Sequence, residues 1–232
     1  MERRRFLESC VLSSVAGWVP ASLGAQATAR MYGRARLVGA KGEALKAASL
    51  LPDTNYVFNY PYAGTPCFLL NLGRPVTAPA TLRREDGGTY AWHGGVGPER
   101  AIVAFSAICA HKLAYPTRDV SFIRYQRQKS ATSDARVIHC CADHSVYDPA
   151  VGARVVSGPA PQPLAAILLE YDSAGDELFA VGTLGPEQFE AFFRKYEFKL
   201  DMEYGSGRAR QPTPERVIVK ELAQYCRQTI EC

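Results

Sequence analysis

Short apolar runs separated by turn residues dominate the middle of the chain. The turns are rich in glycine, for example at positions 87–88, 94–95 and 173–176. Many short strands separated by such turns are typical of an antiparallel sandwich or barrel. We therefore predict a mainly β fold, with strands over 56–60, 67–72, 101–108, 120–127, 136–139, 153–156, 164–171 and 177–181.

The pattern changes after Gly185. Residues 186–196 have helical spacing, and so do the apolar positions of 214–230, which are Val217, Ile218, Leu222 and Tyr225. Residues 28–50 are rich in Ala, Arg, Lys and Gly and indicate a linker or a short helix. We predict a β domain over 51–185 after this linker, and a helical C-terminal extension over 186–232.

The N-terminus has the pattern of an export signal. Arg3-Arg4-Arg5-Phe6-Leu7 fits the twin-arginine motif, a weakly apolar segment follows over 10–23, and Ala25-Gln26-Ala27 fits a cleavage site. Residues 1–27 are therefore predicted to be a Tat signal peptide, which places the protein in the periplasm. A basic amphipathic helix is the alternative, and membrane contact is expected only through this segment, if it remains uncleaved.

Composition excludes some classes of protein. The chain has 232 residues with 47% hydrophobic and 22% charged side chains, as in an ordinary globular protein. Its net charge of +4 is too small and dispersed to indicate a nucleic-acid partner. Seven cysteines are too few for a disulfide scaffold of this length.

Two short motifs carry metal-ligating side chains. Cys109-Ala110-His111 is a C-x-H motif, and Cys141-Ala142-Asp143-His144 is a C-x-x-H motif. Two Cys and two His can bind zinc tetrahedrally. They can also hold a [2Fe–2S] cluster, with two Cys on one iron and two His on the other.

The surroundings of these motifs resemble the Rieske iron–sulfur family. Residues 109–116, CAHKLAYP, are similar to the family's C-x-H-x-G-C-P, and residues 140–148, CCADHSVYD, are similar to C-P-C-H-x-S-x-[FY]-D. Gly158-Pro159-Ala160-Pro161 looks like the family's proline loop. Residues 60–76 and 94–111 are similar to the small subunits of the arsenite-oxidase type.

The resemblance implies one Rieske-type [2Fe–2S] cluster per chain. Its expected ligands are Cys109, His111, Cys141 and His144. The hydroxyls of Ser145 and Tyr147 are expected to donate hydrogen bonds to cluster and cysteine sulfurs, which would raise the reduction potential. The residues expected to shield or cover the cluster are Leu113, Gly158 and Pro159.

The second motif departs from the family pattern, and this leaves its register open. If the spacing of C-x-x-H is kept, Cys141 and His144 are the ligands and one residue before Ser145 is deleted; we expect this register. If the motif is aligned without a gap from Tyr147 backward, Cys140 is the ligand and Asp143 takes the position of the histidine. The pair Cys140 and His144 is a further alternative, as is a Rieske fold without a cluster.

Other cysteines and charges also depart from the pattern. Ala114 and Ala142 or Asp143 stand where many members have the cysteines that join the two loops, so packing alone should hold the loops. Cys226 and Cys232 are candidates for pairing in an oxidising compartment. The long segment between the motifs either forms a docking surface for an acidic partner or is a solvated face; its cations are Arg118, Arg124, Arg127, Lys129 and Arg136.

The expected function is one-electron transfer in the periplasm rather than catalysis by this chain alone. The second iron site of a Rieske oxygenase would need further histidines, and two of the four are already used. The expected partner is a redox protein: a molybdenum-type oxidase subunit, cytochrome c or a cytochrome bc-like complex. The competing expectation is a cluster-free assembly subunit.

Overall fold

The fold is mainly β, as a computed structural model describing residues 29–232 shows. The strands are β1 (Arg30–Val38), β2 (Tyr56–Asn59), β3 (Pro66–Asn71), β4 (Ala80–Arg83), β5 (Thr89–Trp92), β6 (Ile102–Ser106), β7 (Val120–Ser121), β8 (Ile123–Gln126), β9 (Val137–Cys140), β10 (Ser145–Asp148), β11 (Arg154–Ser157), β12 (Ala166–Asp172), β13 (Glu177–Leu184), β14 (Arg216–Ile218), β15 (Lys220–Glu221) and β16 (Gln228–Thr229). The α-helices are α1 (Phe189–Tyr204) and α2 (Leu222–Tyr225).

The largest sheet has eight strands in the order β14-β1-β13-β12-β6-β3-β2-β15. All neighbours are antiparallel except β1 and β14, which run parallel. The two edge strands, β14 and β15, are separated in sequence only by Val219, whose N–H donates to the Val38 carbonyl at 2.8 Å. This sheet is therefore nearly closed.

The core is divided by the strands of the large sheet. On β3, Cys67 and Leu69 face one apolar cluster, whereas Phe68 and Leu70 face another. Side chains alternate along a strand, so a strand with both faces buried has a continuous apolar run rather than an alternating one. This explains why the sequence predicted β3 and β6 so directly.

A smaller four-stranded sheet in the order β11-β10-β9-β8 packs on one of these clusters. It contributes Tyr125, Ile138 and Tyr147 to the shared core, where they lie with Phe68 and Phe105 of the large sheet. The β9–β10 hairpin pairs Cys140 with Ser145, so the four residues between them form the connecting loop.

The structure differs from the prediction at both ends of the β domain. The segment expected to be a linker over 28–50 instead contains β1, which pairs with β13 and β14. Residues 214–230 contain short strands and a four-residue helix rather than one long helix. Val217 and Val219 are buried between exposed neighbours, an alternation of period two that the helical interpretation overlooked.

The helix predicted after Gly185 is confirmed as α1. It buries Phe189, Phe192, Phe193 and Leu200 against Ile108 and Tyr115, which flank the first cysteine motif. No helix within residues 29–232 combines the length and apolar character needed to cross a membrane. The predicted signal peptide over 1–27 lies outside the described residues.

Candidate metal centre

The first site loop follows β6 and is closed by backbone hydrogen bonds. Cys109 N–H donates to the Ala114 carbonyl at 2.9 Å, and Leu113 N–H donates to the Cys109 carbonyl at 3.0 Å. Leu113 has φ +58° and stands at the position of the glycine in C-x-H-x-G. The backbone thus takes the left-handed conformation that favours glycine, although this chain has leucine there.

The second site loop connects β9 to β10. His144 N–H donates to the Cys140 carbonyl at 2.7 Å, which closes the loop, and His144 has φ +58°. Successive side chains of a strand point to opposite faces. Cys140 therefore faces the core, where it is fully buried, whereas its neighbours His139 and Cys141 contact the opposite side.

The two loops bring four possible ligands together. The ligand atoms of Cys109, Cys140 and Asp143 lie within 4.8 Å of one another. Cys109 Sγ lies 3.4 Å from Asp143 Oδ2, and His111 Nδ1 lies 2.8 Å from the same oxygen. Both thiols are buried, whereas the His111 side chain is 36% exposed. The two thiols and the Asp143 carboxylate are therefore buried, and only the His111 side of the site is near solvent.

Two hydroxyls lie on the buried side of this group. Tyr147 Oη lies 3.4 Å from Cys109 Sγ and accepts a hydrogen bond from Ala110 N–H at 3.1 Å. Ser145 Oγ is buried and finds no hydrogen-bond partner among residues 29–232. A buried hydroxyl without a partner costs free energy, so Ser145 Oγ could donate a hydrogen bond to a group held between the loops.

The surroundings shift the pKa values of the two thiols in opposite directions. Hydrogen bonding from the Cys140 thiol lowers the pKa of Cys109 to about 7 against the opposing effect of burial, with help from Tyr147 and nearby backbone N–H groups. The same hydrogen bond and burial raise the pKa of Cys140. Cys109 is therefore the more acidic of the two thiols.

The acidic residue of the group is held in its ionised form. Burial alone would raise the pKa of Asp143, but hydrogen bonds from Ser145 N–H, Cys140 and His111 lower it overall. Ser145 N–H donates to Asp143 Oδ1 at 3.0 Å. The carboxylate therefore presents an anionic oxygen ligand beside the two thiols.

The residues expected to cover the site lie at its borders. An added Cβ on Gly158 would lie only 2.3 Å from the His144 carbonyl oxygen, and its φ is +86°, so no other residue fits here without strain. Leu113 packs with the α1 cluster, and Pro159 is exposed. Gly158 and Leu113 thus support the second and the first loop respectively.

Cys141 and His144 are not brought to Cys109 and His111. Cys141 forms a disulfide with Cys232, 91 residues further along the chain, and His144 is exposed with its ring 5.7 Å from that of His139. The structure instead brings together the side chains that are expected when the second motif is aligned without a gap. The reason is the register of the hairpin, which pairs Cys140 with Ser145 and so places both side chains on the same face.

The disulfide corrects two further expectations. The loops are not held by packing alone, because Cys141–Cys232 ties the second loop to the C-terminus. Cys232 is also not paired with Cys226, which is a free, buried thiol whose pKa burial raises to about 12. The spacing of cysteines could not reveal this bond, since its partners are distant in sequence.

The cations between the motifs are all engaged within the chain. Arg127 and Arg136 both contact Asp53, and the other pairs are Arg118–Glu203, Arg124–Glu231 and Lys129–Asp134. This arrangement favours the solvated face over a docking surface for an acidic partner.

These features define a class: a mainly β fold with two metal-ligating loops, one after β6 of the large sheet and one between β9 and β10 of the small sheet. No family model matches the chain. It is 30% identical to the iodate reductase subunit IdrB of Pseudomonas sp. (strain SCT) over 190 residues, which cover 80% of each protein.

Among solved structures, the soluble domain of the Rieske protein II (soxF) from Sulfolobus acidocaldarius is similar. It is 28% identical, covers 66% of this chain and 78% of its own, and has a TM-score of 0.46. The relative IdrB shows that the chain belongs to the Rieske family.

Proposed function

We propose that this protein is the electron-transfer subunit of an oxidoreductase and carries one [2Fe–2S] cluster. Its ligands would be Cys109, Cys140 and Asp143, whose side chains are buried, and His111 on the side near solvent. Such a cluster accepts and gives up one electron at a time. The observation that carries the proposal is the convergence of these side chains between the two loops.

The chemistry of the pocket supports this cluster rather than an isolated zinc ion. A tetrahedral zinc site would use the four ligands but would leave Ser145 Oγ without a partner. A bound cluster would offer an acceptor to that hydroxyl, and Tyr147 Oη lies beside Cys109 Sγ. Both hydroxyls then favour the more negative, reduced state.

Asp143 sets this protein apart from the pattern with two histidines. A carboxylate adds a negative charge next to the cluster, where a neutral imidazole would add none. The reduced state is therefore less favourable than with histidine, and the potential lies lower in the range of about −150 to +300 mV. The substitution Asp143→His should raise the reduction potential.

The exposed end of the site is where a partner can approach. His111 is partly exposed, whereas both cysteines are buried, so the shortest route between solvent and the site passes the His111 side. The relative is named as a subunit of iodate reductase. We infer by analogy that the partner is a larger catalytic subunit or a cytochrome that docks over His111.

The matched variants Cys140→Ser and Cys141→Ser test the ligand set. The first should abolish the visible and paramagnetic resonance spectra and reduce iron from about two atoms per chain to almost none. The second should keep both, because Cys141 is engaged with Cys232. The reverse result would establish the C-x-x-H register, and a wild type without iron would favour the cluster-free subunit.

We also propose that the protein is exported to the periplasm by the Tat pathway. The support is the sequence pattern of Arg3-Arg4 before a mild apolar segment. Replacing both arginines by lysine should retain the protein in the cytoplasm. Fractionation that still finds it in the periplasm would contradict this assignment.

A further inference from the structure

A second group of metal-ligating side chains lies on the opposite face of the β9–β10 hairpin. The ligand atoms of His139, His144 and Cys232 lie within 4.8 Å of one another. Cys141 Sγ is bonded to Cys232 Sγ, so it belongs to the same group. Two cysteines and two histidines therefore meet at a place that the cluster does not use.

The alternation of the strand explains how adjacent residues serve different groups. Cys140 and Asp143 face Cys109, whereas His139, Cys141 and His144 face the C-terminus. The density of metal-binding residues over 139–144 thus reflects two interleaved sets rather than alternative ligands for one site. The register ambiguity of the sequence has the same origin.

We propose that reduction of the Cys141–Cys232 disulfide creates a zinc site with these two thiolates and with His139 and His144. A dithiol reductant would supply two electrons and two protons, becoming a disulfide itself, and would leave two thiols. Binding of Zn²⁺ then releases the two thiol protons. Two thiolates and two neutral imidazoles are a common tetrahedral ligand set for zinc, and the complex carries no net charge.

The orientation of His139 supports this assignment. Its Nδ1 lies 3.0 Å from Ser133 Oγ, and Cys232 Sγ lies 3.5 Å from both Nδ1 and Nε2. In the tautomer whose Nδ1–H donates to the serine, Nε2 is the ring nitrogen that remains to bind a metal. A hydrogen bond on the second ring nitrogen is the usual feature that orients a zinc-binding histidine.

The burial of the group allows a metal to enter and remain. His139 is fully buried, Cys232 is partly exposed, and His144 lies at the surface. Arg124 lies near His139, but its charge is shared with Glu231 at 3.4 Å. A zinc ion here would keep the C-terminus attached to the second loop after the disulfide has been reduced.

The test measures zinc and iron per chain after incubation of the full-length protein with Zn²⁺, followed by removal of free metal. A phosphine reductant is used, since it does not compete strongly as a thiol ligand would. The reduced protein should gain about one zinc per chain over the oxidised protein without losing iron. Equal zinc in both states, or zinc that replaces iron, would overturn the proposal.

Variants separate this site from the cluster. His144→Asn keeps a residue that tolerates positive φ and should weaken zinc binding by about tenfold or more. His93→Asn, a change in an exposed turn, is the matched control and should bind as the wild type does. Equal binding by both variants would contradict the assignment.

The variant Cys109→Ser distinguishes failure of this proposal from failure of the proposed function. It lacks a cluster ligand but retains all four side chains of the zinc group. It should still gain zinc on reduction, whatever its iron content. Loss of the additional zinc in this variant would show that the metal binds at the cluster site instead.

Discussion

The two site loops are held in place by different means. The first loop is braced by α1, whose aromatic side chains pack on Ile108 and Tyr115, while Gln188 Nε2 donates to the Ala110 carbonyl at 3.4 Å. The second loop is fixed by a hairpin and by the disulfide to the C-terminus. A bond between the loops is therefore not needed, because each is anchored separately to the rest of the fold.

The largest loss of stability is expected where α1 packs against the first loop. Phe192 is fully buried against Tyr115, with ring centroids 4.8 Å apart, so Phe192→Ala should lower the free energy of unfolding by about 3–5 kcal/mol. Chemical denaturation measures this change. Phe198→Ala is the control on the same helix: Phe198 is 77% exposed, and a similar loss there would show that packing against Tyr115 does not cause the effect.

Removing the disulfide should have the next largest effect. Cys232→Ser frees the C-terminus and should cost about 2–5 kcal/mol under oxidising conditions, in line with the loss of other native disulfides. Under reducing, zinc-free conditions the variant and the wild type should have nearly equal stability. A difference that persists after reduction would mean that Cys232 acts through packing instead.

A smaller effect is expected at the border of the second loop. Gly158→Ala places a Cβ against the His144 backbone and should cost about 1–3 kcal/mol beyond the strain of its positive φ. Gly207→Ala shares the positive φ but has open space around the added carbon, so it isolates the strain. Equal melting temperatures of the two variants would indicate that the loop yields to the added methyl group.

The smallest effects distinguish the two hydroxyls. Ser145→Ala and Tyr147→Phe should each lower the reduction potential of the proposed cluster by about 50–100 mV, the equivalent of roughly 1–2 kcal/mol. Only Tyr147→Phe should also reduce stability, since it leaves Ala110 N–H without its acceptor. Protein-film voltammetry and thermal unfolding of the two variants test this; unchanged potentials would show that neither hydroxyl reaches the sulfurs.

The sequence predicted the strands that are buried on both faces or alternate clearly. The runs at β2, β3, β6, β12 and β13 were apparent, and the turn at 173–176 connects β12 to β13 as expected. β1 was missed because RMYGRARLV has polar, basic residues along its exposed stretch. Only its pairing with β13 and β14 makes that segment a strand, and this pairing is a tertiary effect.

The candidate site was predictable in its residue types but not in its register. Both motifs were found, with Cys109, His111, Ser145 and Tyr147. Spacing could not choose between Cys140 and Cys141, since both C-x-x-D and C-x-x-H place two ligands on one loop. The gapless match of Ser145, Tyr147 and Asp148 was the signal for Cys140, and strand alternation explains it.

The near-closure of the large sheet has a consequence for synthesis. β1 is among the first described segments to be made, yet its neighbour β14 and the closing strand β15 are among the last. The backbone groups on the outer edges of β1 and β2 therefore remain unpaired during translation until β14 and β15 have been synthesised. A ribosome that stops before residue 214 would release a chain with two open sheet edges, and such edges can pair with other chains.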